Sequence, residues 1–295
     1  MELKQVTTKK MQFSLWTDYG ALNSKPIFDA FAHSILDAGH DVVWNNPNSD
    51  VDVIWSVLWH GRMASNKNIW DRNQANKKPT IVLEVGGIKR GTTWKVGLNG
   101  INRTAFFSDD SNDSSRAKQL GLELKPWDNT GEYILVCGQH NKSLQWQDMP
   151  PLDIWLERTI STIREHTKRP ILLRPHPRCP AGKGIEKRYK DVYRQDPIKL
   201  TFTYDDFDMG FNNVYATVSY SSNPGIHSII KGIPAFVGPL SLAYDVGNDI
   251  DFLHDIENPL TPDRTQWLND YAHTEHTIEE ISQGIPLKYL TSKIK

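Results

Sequence analysis

Cysteine is scarce in this chain: Cys137 and Cys179 are the two thiols among 295 residues, and they form no motif. A disulfide-rich scaffold is excluded, and a reduced, cytoplasmic setting is expected. No apolar run reaches the length of about eighteen residues that a membrane helix needs. The opening Met1-Glu-Leu-Lys-Gln-Val-Thr-Thr-Lys-Lys10 is too polar for a secretory signal. An excess of one charge is also lacking. Against 34 Lys and Arg stand 35 Asp and Glu, a net charge of −1, so nucleic acid or an anionic surface must be met by a local patch. There is no repeat at fixed period and no low-complexity stretch. No Gly-x-Gly-x-x-Gly follows the first strand, where Asp18-Tyr-Gly20 stands instead, which argues against a dinucleotide oxidoreductase.

Metal ligands in usable spacing are missing as well. Asp206-Phe-Asp208 and Asp249-Ile-Asp251 spell an acidic triplet that can hold a divalent cation, but neither follows a strand end in the required context. His273 and His276 lack a third ligand of suitable type, and the acidic run from Asp109 to Asp113 has no glycine at the turn a calcium loop needs. No metal and no tightly bound cofactor are expected.

What is present is enough apolar material, 38% of residues with 23% charged, for two domains of about 130 to 150 residues. Met11 to Trp16 alternates as a strand. Pro26 to Ala38 carries Ile27, Phe28, Phe31, Ile35 and Leu36 at helical spacing and ends at Gly39. Asp41 to Trp44 and Val51 to Val57 read as strands, Met63 to Asn76 as a helix, and Thr80 to Val85 as a strand before the turn Gly86-Gly87. Lys125-Pro-Trp-Asp-Asn-Thr-Gly131 reads as a linker. The rhythm then restarts with strand Tyr133 to Val136, helix Leu152 to His166, strands Pro170 to Leu173 and Leu200 to Phe202, and a helix near Asp205 to Asn212. An amphipathic helix from Arg264 to Ile281 closes the chain. The expectation is an α/β protein with two doubly wound parallel domains, 1–125 and 126–262, and a C-terminal element, 263–295, that crosses back toward the first.

Two segments point to an anion. Val214 to Val218 is a buried strand by composition, and Ser219-Tyr-Ser-Ser-Asn-Pro-Gly225 follows as a polar turn with Pro224 placed for a first helical turn. Such a helix start can cradle a phosphate with Ser219, Ser221, Ser222, Asn223 and the amides to Gly225, though an ordinary helix cap uses the same residues. The second segment, Arg169-Pro-Ile-Leu-Leu-Arg-Pro-His-Pro-Arg178, is a strand that its prolines stop, presenting His176 between Arg174 and Arg178 at the tip. Ligands of open α/β sheets bind at such tips, and guanidinium forks match phosphate oxygens, although a basic surface turn would read alike.

In order and spacing, Tyr133-Ile-Leu-Val-Cys-Gly-Gln139, His176-Pro177, Ser-Tyr-Ser-Ser-Asn-Pro-Gly225, Lys231-Gly-Ile-Pro-Ala-Phe-Val-Gly238 and Ala243-Tyr-Asp-Val-Gly247 resemble the nucleotide-binding half of capsule-polysaccharide glycosyltransferases. Glu84-Val-Gly-Gly-Ile-Lys-Arg90 is similar to that family's acidic, glycine-containing segment. Leu58-Trp-His-Gly-Arg62 and Gly97-Leu-Asn-Gly-Ile-Asn102 are similar to glycosyltransferases of T4-like bacteriophages. The resemblance implies two Rossmann-like domains of GT-B type facing across a cleft, no metal, and a nucleotide-sugar donor (a UDP- or CMP-sugar) held by Gln139, Arg174, His176, Arg178 and the serine cradle.

A hydroxyl acceptor then needs a base from a first-domain strand end. Glu84, partly desolvated beside a glycine pair, is preferred over Asp18 and His60. Lys89, Arg90, Lys95 and Trp94 are the acceptor-side candidates. Their basic and aromatic character, with Trp59 and Trp70, favours hydroxymethylated pyrimidine in double-stranded DNA as acceptor. A surface or capsular glycan is the alternative. A sugar-nucleotide epimerase and a non-catalytic DNA-binding protein remain open beside these.

Overall fold

The computed structural model describes residues 10–109, 112–201 and 206–294. In the first half, β1 (Gln12–Leu15), β2 (Asp41–Trp44), β3 (Val51–Trp55), β4 (Thr80–Val85) and β5 (Trp94–Leu98) alternate with helices α1 (Lys25–Asp37) and α2 (Asn66–Asn76). In the second, β6 (Tyr133–Cys137), β7 (Ile171–Arg174), β8 (Val192–Arg194), β9 (Val214–Ser219), β10 (Ala235–Val237) and β11 (Asn248–Asp249) form their own sheet. The short α3 (Ser115–Gln119) precedes them, and α4 (Leu152–His166) and α5 (Asn223–Ile230) lie between them. The chain ends in α6 (Thr265–Ala272), β12 (Glu275–His276), α7 (Ile278–Ser282) and α8 (Ile285–Lys293).

The two six-stranded sheets run β2-β1-β3-β4-β5-β12 and β8-β7-β6-β9-β10-β11. The second is parallel throughout and has the Rossmann order. The first is parallel from β2 to β4, but β5 runs antiparallel to both β4 and β12, a departure from the parallel sheet expected there. Alternation along the strands explains the layering. Phe13, Leu15, Val53, Trp55, Ile81 and Leu83 face α1, α7 and α8, whereas Ile54 and Val82 face Trp16, Ile69 and Trp70 on the opposite side. In the second sheet Ile134, Val136, Ala216, Val218 and Phe236 pack on α4. Ala235 and Val237 pack on Ile226, Ile229 and Ile230 of α5. The architecture is α/β, two doubly wound Rossmann-like units across a cleft.

Two local expectations need correction. The single helix over 264–281 is broken, because Glu275 and His276 are wholly buried in β12 and Thr277 starts a new helix with a capping box to Glu280. Residues 206–212 form no helix. Leu200 N–H donates to the Asp206 carbonyl at 2.9 Å and Lys199 bridges Phe207 antiparallel. Phe202 and Asp205, to which the strand over 200–202 and that helix were assigned, lie outside the described residues. The expected linker segment 125–131 has no helix or strand and is tied to the second unit, Lys125 N–H to the Ile230 carbonyl at 3.0 Å and Asp128 N–H to that of Gly232 at 2.7 Å.

The C-terminal segment is held from α3. The buried Arg116 guanidinium donates to both Glu280 oxygens at 2.8 Å and to the Ala272 carbonyl at 2.7 Å. Burial alone would raise the Glu280 carboxyl, but Arg116 and the Thr277 N–H bring it down to about 2. Burial, aided by the Arg116 charge, pushes the His276 imidazole down to about 3. An imidazole depressed in the folded state is neutral there while the unfolded chain binds a proton below about pH 6.5, so stability falls as pH drops through that value. We predict a lower urea midpoint at about pH 5 than at about pH 7.5, and a smaller difference in His276→Leu. Identical pH dependence in both proteins contradicts this.

Candidate functional site

A parallel sheet ends its strands at one edge, and the crevice opens where neighbouring strands send their connections opposite ways. Those points are β1/β3 in the first sheet and β6/β9 in the second. Both edges border one cavity of about 750 Å³. Trp55, Ser56, Glu84 and Val85 line it from the ends of β3 and β4, and Cys137, Gly138, Arg174 and His176 from the ends of β6 and β7.

On the first-domain wall, Glu84 accepts a hydrogen bond from Ser56 Oγ at one oxygen and from the Val85 N–H, at 2.8 Å, at the other. Both oxygens are thereby oriented, and each keeps a lone pair for an incoming proton. Ser56 itself has φ of 66°, a left-handed conformation that a non-glycine residue adopts only when its surroundings demand it. Arg90 and the exposed His60 share this wall.

On the opposite wall, the Arg178 N–H donates to His176 Nδ1 at 3.1 Å, which assigns the imidazole proton to Nε2. Burial first, then the neighbouring His140, Arg178 and Arg90 charges, pushes His176 down to about 4, so the ring is a neutral N–H donor at pH 7. His140 was not singled out in the sequence, yet its ring lies 5.2 Å from His60 and 5.5 Å from His176 and joins the two walls. Its signal was Gly138-Gln-His140 directly after β6. Ser222 caps α5 with extended backbone, and its buried Oγ has no hydrogen-bond partner among the described residues. Asn223 stands beside it at the cavity.

The remaining candidates separate into supports and residues that lie elsewhere. Gln139 Oε1 accepts both the N–H and Oγ of Ser221 at 3.0 Å, tying the β6 tip to the cradle. Ser219 and Gly225 lie behind it, where a Cβ on Gly225 would stand 2.6 Å from Ser219 Oγ. Of the expected amides, Pro224 has none and the Gly225 N–H donates to the Ser222 carbonyl at 3.1 Å, so side chains carry most of the polar face. Arg174 borders the cavity, but its guanidinium donates to the Met209 and Gly210 carbonyls and to Gln195, so it fixes the 206–210 loop instead of offering the expected phosphate fork. Asp18 is exposed on a turn outside the cavity, and Lys89 lines an adjoining cavity of about 740 Å³.

Trp94 and Lys95 are corrections of a different kind. Both are buried in β5, Trp94 in the core and Lys95 with Nζ 4.0 Å from Glu275, so neither reaches an acceptor. Trp70 is core too, with Trp59 tilted against it at 6.3 Å. Burial raises the Cys137 thiol to about 11, which makes it no nucleophile. No group of three His, Cys, Asp or Glu suited to a metal occurs among the described residues.

The chain is similar in fold to known proteins. Two solved structures superpose over nearly its whole length: the KpsC β-Kdo 2,7-transferase of Thermosulfurimonas dismutans (TM-score 0.54, 16% identity, 94% of this chain and 99% of the other) and the KpsC β-Kdo 2,4-transferase of the same organism (0.54, 13%, 90% and 92%). The likeness is one of fold. No protein-family model matches the sequence, and no curated protein matches it.

An anion between His176, His140 and Arg178 favours the charged imidazole and raises its pKa. Binding of uridine diphosphate or cytidine monophosphate at about pH 5.5 should therefore take up protons, read calorimetrically in buffers of different ionisation enthalpy, and His176→Asn should reduce the uptake. Heats that are independent of the buffer contradict this site.

Proposed function

We propose that the protein is a glycosyltransferase that moves a sugar from a nucleotide donor to a hydroxyl of a surface or capsular glycan. The observation that carries this reading is the convergence of two kinds of group on one cavity. Neutral donors, His176 Nε2–H and Ser222 Oγ, stand on one side, and the doubly oriented Glu84 carboxylate stands on the other. The acceptor oxygen bonds to the anomeric carbon as the bond from that carbon to the phosphate oxygen breaks. Glu84 takes the hydroxyl proton, and the nucleotide leaves with the electron pair into the His176 and Ser222 donors.

In this reading residues 1–125 hold the acceptor, 126–262 hold the donor, and 263–295 brace the first domain. The fold likeness to two Kdo transferases, enzymes of an acidic sugar, supports a glycan product. Burial of Trp70, Trp94 and Lys95 leaves Lys89 and Arg90 as the exposed remnant of the basic and aromatic face on which a DNA acceptor depended. No helix among the described residues is long and apolar enough to cross a membrane. The unpaired Cys137 and Cys179 fit the cytoplasmic setting that we assign to the reaction.

A mass-spectrometric screen of nucleotide sugars against glycan and hydroxymethylated-DNA acceptors tests the assignment. Transfer to a glycan is expected, and transfer only to DNA overturns the acceptor. His176→Ala should lower kcat/KM at least about tenfold in a folded protein, equivalent to about 1.4 kcal/mol, and Ser222→Ala should cost about 1 kcal/mol. Wild-type kinetics in both variants would remove the donor cradle from the mechanism.

A further inference from the structure

The glycine pair after β4 is a seam between two distant parts of the chain. Glu275, wholly buried in β12, accepts the N–H of Gly87 at 2.6 Å and of Ile88 at 2.9 Å, and Thr93 Oγ1 at 2.7 Å, across 188 residues of sequence in the first case. Its carboxylate fits so closely that a Cβ on Gly86 would lie 2.4 Å from Oε2. On the other side the loop meets α5. His227 Nε2 donates to the Gly87 carbonyl at 2.8 Å, and a Cβ on Gly87 would stand 2.8 Å from Asn223 Nδ2. Burial first pushes the His227 imidazole down, which keeps it neutral and, with a carbonyl as its partner, keeps the proton on Nε2.

A buried carboxylate that receives three donors is strongly localised, and a loop bonded to it takes one conformation. The loop it fixes carries Arg90 into the cavity, starts directly after Val85 and two residues after Glu84, and hands its position to the helix whose first residues are Asn223 and Pro224. We infer that Glu275 is a positioning residue that sets the Gly86–Arg90 loop and, through Gly87 and His227, holds α5 in register with the first-domain wall. The inference deepens the transferase reading and rests on it for its kinetic consequence. The mechanical coupling stands on the contacts themselves.

Hydrogen exchange read by mass spectrometry separates the two. In Glu275→Gln, one oriented amide replaces the carboxylate and its nitrogen opposes the loop donors. Peptides covering 86–93 and 222–231 should both exchange at least about tenfold faster, with β6 and β7 unchanged. His227→Ala should accelerate 86–93 from the opposite side, and it keeps the question open to measurement if Glu275→Gln does not fold. Faster exchange confined to 86–93 in Glu275→Gln, or no change there in His227→Ala, overturns the coupling.

On a nucleotide-sugar substrate, Glu275→Gln should lower kcat at least about tenfold while the calorimetric Kd for the released nucleotide moves less than about threefold, because a cradle that opens about tenfold more often is still closed most of the time. Glu275→Asp should recover part of the rate. A residue needed for stability alone would leave kcat of the folded protein unchanged. If no nucleotide sugar turns over in the wild type, the transferase reading falls while the exchange result still decides the coupling.

Discussion

The arrangement depends on a geometric constraint of parallel sheets: every strand of a βα repeat delivers its carboxyl end to the same edge, where the backbone must turn and polar groups accumulate. Two such edges face each other here across one cavity. Ser56, Glu84, His176 and Ser222 come together because each stands at or just after the end of its strand, although they span residues 56 to 222. The chemistry available at the cleft is what those ends supply, two carboxylate-orienting bonds on one wall and neutral hydrogen-bond donors on the other.

Facing edges are useful only if the two units hold a defined separation, and direct contacts supply that. Trp59 N–H donates to the Lys142 carbonyl and Leu144 N–H to that of Val57, both at 2.9 Å, so a short antiparallel ladder runs along one side of the cavity. Arg103 forks onto Asp245 at a separate pocket, although a half-exposed pair of this kind contributes little energy and serves mainly to orient. The Gly86–Gly87 seam and the Arg116–Glu280 pair complete the set, the latter binding the returning C-terminal segment to α3. Each tie joins residues far apart in sequence, which gives the cleft its shape from the whole chain.

Much of this was legible where the signal is local. β4 and α4 have the boundaries that their apolar patterns indicate, and prolines around His176 stop β7 as their missing N–H requires. The capsule-type resemblance also agrees with the fold likeness to the KpsC transferases. What failed depended on distant partners. β5 contains Lys95 and Gly97, poor strand formers, and is a strand because Glu275 and β4 flank it. For the same reason Lys95 and Trp94 looked like surface recognition residues and are interior. Arg174 looked like a phosphate fork because its carbonyl partners at Met209 and Gly210 are 35 and 36 residues away. The Thr277-Ile-Glu-Glu280 capping box was readable, and it marks the break that helical periodicity alone runs through.

The central claim is that the donor nucleotide binds with its phosphate between the β7 tip and the start of α5, facing Glu84. A crystal structure of the protein with uridine diphosphate or cytidine monophosphate tests it most directly. The account predicts phosphate oxygens within hydrogen-bonding distance of Ser222 Oγ and His176 Nε2, about 2.6 to 3.2 Å, with the ribose and base on the second-domain side. A nucleotide bound elsewhere on the molecule, or a cavity that stays without nucleotide at millimolar concentration, would contradict it.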